Sequence, residues 1–344
     1  MTAPDPVIAC EDLWMVFGEG AGRVLRSARG ATPREIAADL AGQGLIPAVR
    51  GVSFEVGKGE LFVVMGLSGS GKSTVIRCIS RLLEPTSGAV RIDGEDILSA
   101  RSSRMTKLRR EKMGMVFQHF GLFPHMSVAE NVAYPLKVQG MARGARHARA
   151  GEVIELVGLA GREDAFPREL SGGQRQRVGI ARSLAVNPEI WFLDEPFSAL
   201  DPLIRRQLQD EFLRLQSDLK KSIVFITHDI TEALKLADRI AIMRDGEIVQ
   251  IGTPAEIVLS PADSYVAEFA RDIPRGQMMK VAAVMEPANG ATEGPALHPG
   301  MTLDAALASF VPHLSAVPVT DGDGKLVGQV TPEALVKALG AEAP

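Results

Sequence analysis

The chain has 344 residues, 46% of them hydrophobic, 23% charged and only 5% aromatic, with a formal net charge of −4. That length holds one large domain and a small one. The balance excludes gross disorder, a nucleic-acid binder with its clustered basic excess, and a core built on aromatic rings. Cys10 and Cys78 are the only two cysteines and have no metal-type or redox spacing, which excludes a disulfide scaffold and fits a reducing compartment. The N-terminus, MTAPDPVIACED, lacks the basic start and apolar stretch of a signal peptide. The longest apolar runs, such as Leu61–Leu67 and Ile190–Leu193, are too short to span a bilayer, so any role at a membrane requires a partner.

Residues 7–17 and 49–56 read as strands, the second ending in a Gly57-Lys58-Gly59 turn. Between them lies an insert, 19–47, rich in Gly, Ala and Arg. Within it, Thr32, Pro33 and Glu35 predict a capped helix that stops at Gly42. Leu61–Met65 is an apolar run bounded by glycines, the pattern of a strand buried on both faces, and a glycine-rich loop and a helix over 73–83 follow it. Further buried strands are expected at 114–117, 190–193, 223–227 and 240–244, with helices near 127–137, 143–158, 171–186, 203–219 and 229–237. This alternation predicts an α/β fold with a parallel sheet covered by helices on both faces. The basic run Arg101–Lys112 reads as a solvated helix face. Composition shifts near 271–277; beyond a loose stretch, 286–300, come a helix-like TLDAALASF and a strand–turn–strand.

Three motifs carry the chemistry. Gly66-Leu67-Ser68-Gly69-Ser70-Gly71-Lys72-Ser73 matches GxxxxGK[ST] between a buried strand and a helix. Its glycines let backbone N–H groups turn in around phosphate oxygens, and the helix N-terminus adds partial positive charge. Lys72 supplies a full charge toward the β- and γ-phosphates, and the Ser73 hydroxyl can ligate Mg²⁺. The strand 190–193 ends in Asp194 and Glu195. At the carboxyl end of a parallel strand Asp194 can hold Mg²⁺, and Glu195 can polarise an attacking water. Leu170-Ser171-Gly172-Gly173-Gln174 opens a further helix and so offers a second phosphate-binding helix end. One nucleotide does not need two such ends from one chain, so the pattern predicts a head-to-tail dimer in which Ser171 and Gly173 face the γ-phosphate held by the partner.

With LSGGQ about 20 residues before the LDEP acids and the phosphate loop upstream, residues 7–270 resemble the nucleotide-binding subunit of ABC transporters. The resemblance implies a P-loop ATPase core of ABC type with a helical subdomain around 119–185, binding ATP and Mg²⁺. It places Thr74 beside Ser73 in the phosphate site. Gln118 resembles the glutamine that touches Mg²⁺ and senses the membrane subunit. Ser198–Asp201 resembles the loop that crosses the dimer interface, and His228 the switch histidine at the γ-phosphate. Phe17 resembles the aromatic that stacks on adenine, ahead of Trp14 as a weaker candidate; the alternative is that Phe17 is a core residue of the first strand. The stretch 120–126 would dock a cytoplasmic helix of the membrane subunit.

Finer segments, RLLEPTSGAVRIDG, FQHFGLFPHMSVAENV and DEPFSALDPLIRRQLQDE, together with the insert, resemble the subgroup that imports glycine betaine, proline betaine or related quaternary amines. Gln174 departs from that subgroup, which often carries methionine there. Residues 280–340 resemble a single CBS motif, which either pairs with that of a second subunit or has lost ligand binding. The expected organisation is therefore an ATP-binding domain over 1–275 and a small α+β CBS-like domain over 276–344. Implied partners are a second copy, two transmembrane permease subunits at the cytoplasmic face of the membrane, and a periplasmic or lipid-anchored solute-binding protein. An importer ATPase for another small polar solute, or a soluble ABC ATPase without a transport role, are the alternatives.

Overall fold

The computed structural model describes residues 6–27, 30–118, 121–198, 200–271, 273, 276, 279–288, 295–310 and 315–340. Phe120, Ala199 and parts of the expected boundary 271–277 and loose stretch 286–300 lie outside them. The chain forms two compact units, Met1–His228 with Ala241–Ile248 and Asp229–Ile240 with Val249–Pro344.

The first unit opens on strands β1 (Ile8–Phe17) and β2 (Ile46–Val56), which pair antiparallel. β4 (Ser87–Ile92) and β5 (Glu95–Asp96) extend them into a four-stranded sheet of order β2-β1-β4-β5. β1 and β2 are legible in the sequence, whereas this separate antiparallel sheet is not, because β4 and β5 are half-exposed and carry no long apolar run. The insert folds as two helices, α1 (Ala21–Ser27) and α2 (Pro33–Gly42). α2 has the expected capping box: the Thr32 hydroxyl accepts from Glu35 N–H, and the Glu35 carboxylate accepts from Thr32 N–H. α1, without such a signature, was missed. The insert also ends earlier than expected, since β2 begins at Ile46.

The second sheet has six strands in the order β10-β9-β3-β8-β7-β6. These are β3 (Leu61–Met65), β6 (Met113–Val116), β7 (Ile190–Asp194), β8 (Ser222–Thr227), β9 (Arg239–Arg244) and β10 (Glu247–Gly252). β3, β8, β7 and β6 run parallel. Every residue of β3, β7 and β8 is buried, as expected for strands covered on both faces, and each large apolar side chain there contributes about 1.5–3 kcal/mol of transfer free energy. Four of the aromatic residues form a cluster against this sheet: Trp191, Phe197, Phe212 and Phe225 pack with ring centroids at most 6.0 Å from a neighbour.

Helix α3 (Lys72–Ile79) follows β3 and stops short of the expected residue 83, where Arg81 takes a left-handed φ of 51°. α4 (Ser102–Glu111) carries the basic run as a largely exposed face, with Arg101, Arg104, Lys107 and Arg110 exposed, while three of the run's six basic residues pair within the protein. Arg104 bonds Glu95, Arg109 donates to the carbonyls of Ser80 and Arg81, and Lys112 pairs with Asp93. Helices α5 (Val128–Val138), α6 (Arg143–Leu156) and α7 (Gly172–Leu184) make the helical subdomain, and α8 (Pro202–Leu219) leads into β8.

The second unit begins with α9 (Ile230–Leu236), α10 (Pro254–Leu259) and α11 (Ser264–Ala270). The tail follows, with α12 (Leu303–Phe310), an antiparallel hairpin of β11 (Val317–Thr320) and β12 (Leu326–Val330), and α13 (Pro332–Gly340). Single bridges from Leu297 to Val319 and from Glu286 to Gln329 flank the hairpin. Leu303, Phe310, Val317, Val319, Val330 and Leu335 form its buried apolar set.

Candidate functional site

Residues 66–71 connect the buried end of β3 to the start of α3. Gly66 has φ of +152°, and a Cβ there would meet the Met243 carbonyl oxygen at 2.2 Å; Gly71, at φ of +101°, leaves no room either, with the Ala48 carbonyl at 2.5 Å. Only glycine permits this curl. Gly71 caps α3 without a side-chain hydrogen bond, so the first amides of the helix remain donors for an anion. Ser68 and Gly69 are exposed at the loop tip, and Thr74 sits half-buried in the first turn of α3. Among the described residues, the buried Ser70 hydroxyl has no hydrogen-bond partner. Lys72 is 95% buried, its exposure being 5%, and its ammonium donates to the carbonyls of Gly66 and Leu67 at 2.8 and 2.9 Å. Burial holds its pKa below the ordinary lysine value, against the opposing pull of Glu195 and Asp194. A buried cation beside the uncapped amides of a helix N-terminus is a cradle for a polyphosphate.

The strand end of β7 supplies the acids. Asp194 is buried and accepts from the Ser73 hydroxyl at 2.8 Å. Its other oxygen lies 4.0 Å from the Arg77 guanidinium. Burial raises its pKa, countered by the Ser73 hydroxyl and Arg77. Hydroxyl and carboxylate side by side form an oxygen donor pair suited to a hard cation such as Mg²⁺. Glu195 turns out of the strand with a left-handed φ of 45°. For a residue with a Cβ that conformation costs on the order of 1–2 kcal/mol, and it is held by Glu195 N–H donating to Ile226 and by Ser198 bonding back to the Glu195 carbonyl. Gln118 Nε2 donates to Glu195 Oε2 at 3.2 Å, and His228 Nδ1 lies 3.2 Å from the same oxygen. Among the described residues Oε1 has no hydrogen bond.

Thus Gln118, Glu195 and His228, and Ser73 with Asp194, are brought together from four separate elements. Ser171, Gly172, Gly173, Gln174 and Asp201 form a second group. Ser171 caps α7 in a reciprocal box with Gln174: Ser171 Oγ accepts from Gln174 N–H at 3.2 Å and Gln174 Oε1 accepts from Ser171 N–H at 2.9 Å. Gly173 lies against α8, where a Cβ would meet Ile204 Cγ2 at 2.8 Å. The Asp201 carboxylate caps α8 by accepting from Ile204 N–H at 3.0 Å. Among the described residues, no hydrogen bond joins this group to the loop 66–73. Phe17, the last residue of β1, is 43% exposed, whereas Trp14 is 3% exposed and bonds Asp12; Trp14 is therefore excluded as the base-stacking candidate.

Two residues escaped the sequence reading. Arg77 lies on the exposed side of α3, five residues after Lys72, and only the fold brings it to Asp194. Asn131 is fully buried on α5 and ties down the loop after Gln118: Phe123 N–H donates to its Oδ1 at 2.8 Å, and its Nδ2 faces the carbonyls of Phe123, Met126 and Ser127 at 3.0–3.1 Å. A polar residue one turn into the helix, set among Val128, Val132 and Ala133, was the available signal. Beside this loop lies a groove of about 410 Å³, with Phe117, Phe123, Tyr134 and Val138 among its apolar lining and Arg109 and Arg182 among its basic residues.

The family profile described as "ABC transporter" matches residues 49–198, and one described as "CBS domain" matches 290–341. The chain is 53% identical, over 96% of its own length and 97% of the relative's, to the trimethylamine N-oxide transport system ATP-binding protein of Pelagibacter ubique.

The chain belongs to the ABC transporter family.

Within that family it is an ATP-binding subunit of a transport system and hydrolyses ATP. The glycine betaine/carnitine transport ATP-binding protein of Listeria monocytogenes is 47% identical over 81% of this chain and 70% of its own length. A solved bacterial ABC transporter cassette, in dimeric form, is 33% identical with a TM-score of 0.60, covering 72% of this chain and 98% of the cassette. ABC cassettes of this fold dimerise. No helix among the described residues of this ABC subunit is long and apolar enough to cross a membrane.

Proposed function

We propose that this ABC subunit hydrolyses ATP to drive import of a small methylated amine, of the class that includes trimethylamine N-oxide and the betaines. The observation that carries the substrate class is the graded similarity to named transport ATPases. Two trimethylamine N-oxide transport subunits, from Pelagibacter ubique and Ruegeria pomeroyi, align over 96% and 94% of the chain at 53% and 52% identity. The glycine betaine/proline betaine subunit of Salmonella typhimurium aligns over 78% at 47%. Residues 1–275 act as the ATP-binding domain and 276–344 as a CBS-like regulatory or structural domain.

In the reaction, the amides of residues 66–73 and Lys72 hold the β- and γ-phosphates, and Phe17 stacks on the base. Ser73 and Asp194, with the Gln118 side-chain oxygen, are the groups that would hold Mg²⁺, which supplies charge neutralisation at the phosphates. Glu195 Oε1 accepts the proton of the attacking water, while Gln118 and His228 hold Oε2 and fix the carboxylate. Ser171 and Gly173 of a second copy complete the site at the γ-phosphate, and Asp201 lies at that dimer contact. Two permease subunits receive the motion through the loop after Gln118 at the cytoplasmic face, and a periplasmic or lipid-anchored binding protein delivers the solute.

The test is uptake into membrane vesicles carrying this chain with its membrane subunits and binding protein. ATP-dependent accumulation of labelled trimethylamine N-oxide or glycine betaine, lost with Lys72→Ala, is the expected result. Accumulation of neither would overturn the substrate reading.

A further inference from the structure

The insert between β1 and β2 has no part in the chemistry above, yet it is built onto the end of the sheet that carries Phe17. Trp14, Val16, Ala21, Leu40 and Leu45 form a buried apolar cluster, with Val24, Leu25 and Ile36 packed against it. α1 and α2 are thereby fixed to one face of the β1–β2 ribbon. Neighbouring residues of a strand point to opposite faces. Val16 pairs with Pro47, and Phe17 with Ile46. Val16 and Leu45 therefore face the insert, while Phe17 and Ile46 stand together on the other side. Both are large and apolar, and both are exposed, at 43% and 66%. Cross-strand partners have Cβ atoms about 5 Å apart, so the two side chains make one continuous apolar surface.

That surface lies close to the phosphate cradle. Ala48 is two residues beyond Ile46, about 7 Å along the strand, and its carbonyl abuts Gly71 of the loop so tightly that a Cβ on Gly71 would meet it at 2.5 Å. A nucleotide with its phosphates in residues 66–73 has its base at this range, and the flat apolar face of a purine needs an apolar wall rather than a hydrogen-bonding edge. We infer that Ile46 is the second wall of the base subsite beside Phe17, and that the insert helices serve to hold the Leu45–Ile46 segment in place. The inference rests on the nucleotide reading of residues 66–73. Gly18 reports the same constraint from the other end of the insert: at φ of +120°, a Cβ there would meet Leu45 Cδ2 at 2.4 Å, so any side chain at 18 displaces the residue next to Ile46.

The test measures binding of ATP and of inorganic tripolyphosphate, which has no base, to the purified full chain by calorimetry. Ile46→Ser should weaken ATP by about 5-fold or more, the scale of losing apolar contact from one aliphatic side chain, and leave tripolyphosphate unchanged. Ile46→Val should restore most of the ATP affinity. Gly18→Val should reproduce the ATP-selective loss with Ile46 intact. Unaltered ATP affinity in Ile46→Ser, or equal loss for both ligands, overturns the inference and leaves the phosphate site standing. The control is Lys72→Ala, which should lose both ligands; if it keeps both, the phosphate-site reading itself fails. Ile46 is exposed enough that its substitution leaves the fold intact, and thermal melting verifies this.

Discussion

His228 Nδ1 and Gln118 Nε2 both reach Oε2 of Glu195, each at 3.2 Å. With that oxygen committed, the carboxylate is held in one orientation with Oε1 open. A general base held at one carboxylate oxygen by two side chains keeps the other oxygen available to a water. Glu195→Gln keeps the shape and both partners' reach but removes the charge. It should bind ATP as wild type does and release phosphate at least ~100-fold more slowly. Phosphate release by purified protein, beside calorimetric ATP binding, checks both halves.

Asp194 sets stability against activity. Burial raises its pKa above the usual 3.8, so between 3.8 and the raised value the folded chain holds more protons than the unfolded one. Stability therefore falls as pH rises through that window, and the full cost is present at neutral pH. Asp194→Asn removes the cost. At pH 7 its Tm should rise, on the order of 2–4 °C, and the gain should vanish under acid conditions where Asp194 is protonated. Its turnover should nevertheless fall by at least ~100-fold through lost charge neutralisation. Melting curves across pH and a turnover assay are the measurements; a Tm at pH 7 below wild type would contradict the account.

Ser171 has two tasks that substitution can separate. Its hydroxyl caps α7, and in the proposed dimer it also meets a phosphate. Aspartate is as good a cap as serine, so Ser171→Asp should keep Tm near wild type, whereas Ser171→Ala should cost about 1 kcal/mol. Both should fail to dimerise with ATP in a Glu195→Gln background, the aspartate by repelling phosphate. Size-exclusion chromatography with and without ATP reads the outcome.

Asn131 should matter to coupling more than to hydrolysis. Replacing it by alanine leaves the partly buried N–H of Phe123 and nearby carbonyls without that partner, a loss of about 1–3 kcal/mol, and frees the loop after Gln118. The expected phenotype is a folded chain with near-normal ATP hydrolysis in isolation but several-fold lower solute uptake per ATP in vesicles. Equal loss of both would assign Asn131 to the fold alone.

The sequence by itself determined the phosphate loop, the acids at the end of β7, the Ser171 cap and the buried strands β3, β7 and β8. Each of these is local: a glycine pattern, an apolar run or a capping pair is decided within about ten residues of chain. It also carried the family, because the order and spacing of those local signals are specific. The tertiary structure decided what depends on residues distant in sequence. It paired half-exposed β4 with β1, placed Arg77 opposite Asp194, buried Trp14 while leaving Phe17 on the surface, and set Ile46 beside Phe17 across a 28-residue insert, 18–45. No periodicity announces such meetings, because side chains so far apart in sequence are joined only when sheet register and burial fix which face each strand presents.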